Sequence, residues 1–159
     1  MDVEIPSGVV DNDLEVTLIA TAISPLGIVQ ASDSNITADE KLSREARKVF
    51  RIPSVDGALA LMGTYRVGGV AMDAWMPATI DAYGRTSRPS LAGFAEFLRD
   101  HLSKELTPDE HAMGTLVHIA GYVEEEGRAH PEFWFVRNVD GIDADTGEYI
   151  LQERFDRKH

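Results

Sequence analysis

Hydrophobic and polar positions alternate in short bursts over the first third of the chain, and the spacing turns helical in the middle. Val16–Ile23 and Gly27–Ser32 are rich in β-branched residues and read as strands. Ser24-Pro25-Leu26-Gly27 joins them, with Pro fixing φ and Gly free to take positive φ, so the pair reads as an antiparallel hairpin. Residues 35–47 are polar and read as a loop. Lys48–Ile52 and Ala58–Met62 read as a second hairpin around Pro53–Gly57, with Gly63 ending its second strand. Tyr65–Tyr83 places Val67, Val70, Ala71, Ala74 and Trp75 at helical spacing, with Pro77 either kinking that helix or starting a new one. A second helix is clearer: Ser90 caps it, Leu91, Phe94, Ala95, Leu98, Leu102 and Leu106 share one face, and Pro108 stops it.

Thr115–Val123 and Glu132–Val139 read as another strand pair across an acidic, Gly-containing turn. Asp140-Gly141 and Thr146-Gly147-Glu148 read as turns, and Tyr149–Phe155 as a last strand. Strands, two helices, then strands predict an α+β fold with helices packed on a largely antiparallel sheet.

Length and charge narrow the function. The 159 residues fit one domain. A formal net charge of −12 and a pI near 4.7 argue against a nucleic-acid binder, which needs a basic face. The chain has no cysteine, so disulfides and thiolate chemistry are excluded. The histidines lack metal-ligand spacing, so no metal site and no cofactor is expected. Asp143–Glu148 reads as a plain acidic turn rather than a calcium loop. The longest apolar run is broken by Ser24-Pro25 and is too short to cross a bilayer. Residues 1–16 carry five acids and no Lys or Arg, unlike a secretory signal, so a cytoplasmic protein is the expectation. They read as an acidic leader or propeptide-like segment before a single domain over 17–159.

Candidate chemistry sits at strand ends. Thr17 opens the first strand, Asp33 follows the second, and Lys48 begins the third. A hydroxyl needs an adjacent base and charge partners to become a useful nucleophile. A hairpin over 17–33 returns Asp33 toward Thr17. Thr21 lies on the same strand face as Thr17. The basic run Lys41, Arg44, Arg47, Lys48, Arg51 reads as a polar face or a partner-binding edge.

From Thr17 to about Leu106 the chain resembles the proteasome β-type subunits and the related bacterial ATP-dependent peptidase, which are N-terminal-nucleophile hydrolases. The resemblance rests on the Thr17 strand followed by Gly27-Ile28-Val29-Gln30-Ala31-Ser32-Asp33, on Lys48–Ile52, on the apolar strand Ala58–Gly63, and on two consecutive helices after it. It implies an αββα sandwich with antiparallel sheets and outer helices. It also implies Thr17 as nucleophile with its freed α-amine as base, Lys48 as the adjacent cation and Asp33 as its holder. The Gly63 N–H would be the oxyanion donor. Thr21, from its strand face, reads as lining the substrate channel or the core. Implied partners are a peptide or other amide substrate, further copies in a homo-oligomeric ring, and an unfoldase. Val16 stands where self-processing members usually have glycine, Gly121-Tyr122 where a helper serine is expected, and Lys48 comes one residue early. The alternative is therefore a catalytically inactive structural subunit of a ring, and a small-molecule amidase of the same fold is a third reading. The family continues with two more helices past the Tyr149 region, so the second helix layer is expected to be reduced, missing or supplied by a neighbour.

Overall fold

Apolar residues from both helices and one sheet face build the main core. A computed structural model describes residues 18–24, 26–38 and 41–159, with the side chains of 36–38 and 41–44 left out of the description. Thr17, Val16 and the acidic segment 1–16 lie outside the described residues, as does Pro25.

The first hairpin forms as expected, from β1 (Ile19–Ser24) and β2 (Gly27–Ser32). Its register pairs Thr21 with Gln30 and Ile19 with Ser32. Ser24 Oγ closes the turn by accepting from the Leu26 N–H and donating to the Gly27 carbonyl. Residues 35–47 are not the expected loop. Within them β3 (Asn35–Ala38) pairs antiparallel with β4 (Lys41–Glu45). Their polar sequence lacks the apolar alternation of a half-buried strand, which is the signal a sequence reading uses.

β5 (Val49–Ile52) and β6 (Gly57–Gly63) form the expected pair, joined through a short 3-10 turn at Pro53–Val55. The helix expected over Tyr65–Tyr83 starts late. Gly68 and Gly69, at φ of 57° and 81°, make a tight turn between β7 (Arg66–Val67) and β8 (Val70–Ala71). Two successive left-handed residues suit a two-residue hairpin and end a helix. Helix α1 then runs Met72–Gly84 with Pro77 inside it. Helix α2 (Leu91–Glu105) begins at Ser90, whose side chain accepts from the Gly93 N–H. Pro108 does not merely stop α2. It opens the short helix α3 (Pro108–Ala112), where its missing N–H costs nothing, behind a Thr107–Glu110 capping box.

β9 (Thr115–Glu125) and β10 (Arg128–Ile142) are longer than expected because Glu126 and Gly127, both at positive φ, turn the chain in two residues. Asp140-Gly141 is not a turn. It lies in β10, where the pairing with β11 (Tyr149–Lys158) shifts register between Arg137 and Gly141. Pro131 is tolerated in β10 because β11 pairs only from Phe135 onward, leaving that side without a ladder.

The main sheet is antiparallel, in the order β11-β10-β9-β6-β5. One face carries α1 and α2. Phe50, Ile52, Leu59, Leu61, Val117 and Ile119 pack there against helical residues including Met72, Met76, Phe94, Leu98 and Leu102. Each such side chain contributes roughly 1.5–3 kcal/mol when fully buried. Trp75 belongs to this core and Trp134 packs against it. The β1–β2 hairpin packs near β5 and β6. The molecule is thus α+β with antiparallel sheets and few helices. Among the described residues no helix is long and apolar enough to cross a membrane.

Candidate active site

Two strand ends meet at Asp33. The residue follows β2, and its main chain is tied back to the start of β1: the Asp33 N–H donates to the Leu18 carbonyl at 3.3 Å. The carboxylate works in two directions. Oδ1 accepts the Leu18 N–H at 3.2 Å, and Oδ2 accepts from Lys48 Nζ at 3.1 Å. The Lys48 side chain is 5% exposed and that of Asp33 31% exposed. An ammonium this buried needs a carboxylate beside it, because removing water from a lone charge costs several kcal/mol. Asp33 and Lys48 are therefore brought together, and both sit beside the chain at Leu18. Thr17 lies outside the described residues.

Lys48 is placed by the main chain around it. The Leu61 N–H donates to the Lys48 carbonyl at 3.1 Å, and Tyr65 Oη donates to the Arg47 carbonyl at 2.7 Å. The sequence reading took Tyr65 as a helix residue and missed this anchor. Only the turn at Gly68-Gly69 frees it from a helix.

Gly63 ends β6 beside Gly114. Its φ is +96°, and a Cβ there would fall 2.0 Å from the Gly114 carbonyl oxygen. Only glycine fits. Alternation along β6 turns the Gly63 N–H to the side that the Leu61 N–H uses to reach Lys48. The loop after Gly63 is fixed from α3: Glu110 takes the Gly68 and Gly69 N–H groups, both at 2.8 Å, and the Thr107 N–H at 2.9 Å. Partial burial works to raise the Glu110 pKa, but the backbone donors of Thr107, Gly69 and Gly68 together bring it below the ordinary value.

Thr21 stands apart from this group. Its Oγ1 is 3.0 Å from His118 Nδ1 on β9, between the hairpin and the sheet. The neighbouring Gln30 donates through Nε2 to the His118 carbonyl at 3.2 Å. The His118 ring stacks on Phe135 at 4.6 Å and lies 5.5 Å from Phe133. His118 Nε2 is buried without a hydrogen-bond partner, and burial pushes its pKa down. In the sequence His118 is one of the histidines without metal-ligand spacing. Its position between Val117 and Ile119, both buried on the opposite face, is the signal that it turns toward the hairpin.

Gly121, where a helper serine was sought, has no space for one. A Cβ would meet Leu91 Cδ1 at 2.8 Å and the Gly57 Cα at 3.0 Å. The acidic turn closes on itself: Asp143 Oδ1 accepts from the Asp145 and Thr146 N–H groups, both at 2.9 Å. Those bonds hold the Asp143 pKa below the ordinary value. Among the described residues no cluster of three or more His, Asp or Glu could hold a metal ion.

A cleft of about 610 Å³ lies at the other end of the hairpin, beside Leu26, Ile28 and Val49. It does not include Asp33 or Lys48. Large cavities often mark sites, but the paired ionic groups are the stronger guide to chemistry here. Comparison of the chain with family models, characterised proteins and solved structures returned no match.

Proposed function

We propose that the chain is a proteasome-like threonine hydrolase of the N-terminal-nucleophile class, cleaving peptide or other amide bonds through Thr17. One observation carries the reading. The Asp33 carboxylate holds a buried Lys48 ammonium with one oxygen and the Leu18 N–H with the other. Leu18 is the next residue in the chain after the one that the resemblance makes the nucleophile.

In this mechanism, loss of residues 1–16 frees the Thr17 α-amine. The hydroxyl attacks the substrate carbonyl and gives its proton to that amine, directly or through water. Lys48 favours the developing alkoxide by its charge, and Asp33 keeps the cation in place. The Gly63 N–H receives the oxyanion, a contribution of roughly 3 kcal/mol for such a donor. The amine product leaves with the proton, and water then hydrolyses the Thr17 ester.

The test uses chain processed to begin at Thr17, with its intact mass confirmed, and fluorogenic peptide amides as substrate. Thr17→Ala is expected to lower turnover by about 10³-fold or more, with Thr17→Ser retaining part of it. A Thr17→Ala chain that cuts as fast as the parent ends the proposal.

The alternative, an inactive structural subunit of a ring, is favoured by a different feature. Leu18, Ile23, Leu26 and Val29 of the hairpin are each more than half exposed. Large apolar side chains left this exposed suit burial against a neighbour. That reading expects residues 1–16 to remain attached in a large assembly on sizing.

A further inference from the structure

Strand β5 ends the five-stranded sheet, and among the described residues no strand pairs with its outer edge. Lys48 and Leu61 are a hydrogen-bonded pair, so alternation turns the N–H and C=O groups of Val49 and Arg51 outward. The Val49 carbonyl accepts from Arg47 Nε at 2.8 Å. Among the described residues no partner strand takes the Val49 N–H or the main-chain groups of Arg51 along the edge.

The 610 Å³ cleft opens beside this edge, between the sheet and the turn of the β1–β2 hairpin. Ile28 and Val49 give it an apolar wall, and Gln30, Arg47 and Arg51 give it polar groups. Gln30 Oε1 is itself buried and without a hydrogen-bond partner. The Arg51 side chain is 75% exposed and pairs with Asp56 only at 3.9 Å. So loose and wet a pair leaves the guanidinium free to be recruited. Residues 41–51 carry Lys41, Arg44, Arg47, Lys48 and Arg51 against one acid, Glu45, in a chain whose net charge is −12. Arginines on an edge strand can act simply as guards against self-association. A guard needs no adjoining cleft.

We propose that the β5 edge and the adjoining cleft take up an extended acidic segment of a partner protein as a sixth strand. Its main chain bonds to Val49 and Arg51, alternate side chains enter the cleft, and a carboxylate meets Arg51 and Arg47. Main-chain bonds supply affinity in this mode, and the pockets for alternate side chains supply selectivity. The cleft lies at the turn end of the hairpin and includes neither Asp33 nor Lys48, so the proposal stands independently of the hydrolase reading.

The experiment is fluorescence anisotropy on the full chain with a labelled Glu-Val-Glu-Val-Glu-Val peptide. Saturable binding is expected, weakened at least about tenfold by Arg51→Glu and by the Lys-Val counterpart of the probe. N-methylation of alternate residues should abolish binding in one phase and be tolerated in the other, because an added strand presents every second N–H to the edge. Equal binding of the Lys-Val peptide, an N-methyl response without this two-residue period, or no saturation overturns the proposal. So does a full chain that sediments as a dimer, excludes the probe, and becomes monomeric with Arg51→Glu, which assigns the edge to a second copy. Probe binding more than about tenfold tighter in full chain carrying Asp11→Asn, Asp13→Asn and Glu15→Gln also overturns it, assigning the edge to this chain's own acidic segment.

Discussion

His118 shows how one side chain can join two layers. Thr21 and Gln30 from the hairpin meet it on one side, and the rings of Phe133 and Phe135 flank it on β10. None of these four groups carries a charge. Burial lowers the His118 pKa, so the folded chain favours the neutral ring. The sign follows from linkage. The unfolded chain binds the proton more readily, so the stability from this residue is complete above about pH 6.5 and is lost as pH falls toward the lower folded value. Urea unfolding at pH 8 and pH 5.5 should therefore show a larger acid loss for the parent than for His118→Phe. The difference should stay under about 1 kcal/mol, because the site is only part-buried and solvent screens it. Identical pH dependence in the two proteins would remove His118 from this role. Asp33 was visible in the sequence as a candidate, and the hairpin that returns it was too. Its second bond, to the Leu18 N–H, needed three-dimensional register.

At the scale of elements, glycines separate two kinds of constraint. Gly63 has positive φ and a carbonyl oxygen in the place of its Cβ, whereas Gly69 has positive φ but open space. Gly69→Ala should cost about 1 kcal/mol of backbone strain. Gly63→Ala adds a backbone clash that nothing flexible can relieve, and should cost about 3 kcal/mol or more. The urea midpoints of the two variants check this ordering, and a milder effect at Gly63 would contradict the close approach of Gly114. The elements themselves differed in legibility. Helix α2 could be read directly because Ser90, a continuous apolar face and a following Pro all agree. The region 65–71 could not, since Val67, Val70 and Ala71 fit helical spacing while Gly68-Gly69 fits a turn. The turn prevails because Glu110 takes both glycine N–H groups. That partner is more than forty residues away, where no local pattern records it.

For the whole molecule, burial is uneven. The α1–α2 face of the sheet holds nearly all the fully buried large side chains, whereas every residue of β1 retains some exposure. Few buried apolar contacts mean a low free energy of local opening. Amide hydrogen exchange followed by mass spectrometry should find 19–32 exchanging well before β6 and β9. Equal protection would mean that the exposed hairpin face is covered in solution. Because the Asp33–Lys48 pair spans hairpin and main sheet, such opening would also part the groups on which the proposed chemistry depends.

The sequence by itself determined the local elements whose patterns repeat along the chain: the first hairpin, the β5–β6 pair, helix α2, and the α+β order. It also marked Asp33 and Lys48 as groups worth bringing together. Tertiary structure alone decided that their side chains meet, that Thr21 meets His118, and that Gly121 leaves no space for a hydroxyl. The physical reason is range. Periodicity and turn chemistry act over a few residues, whereas an ion pair, a stacked ring or a blocked Cβ depends on which distant strands become neighbours.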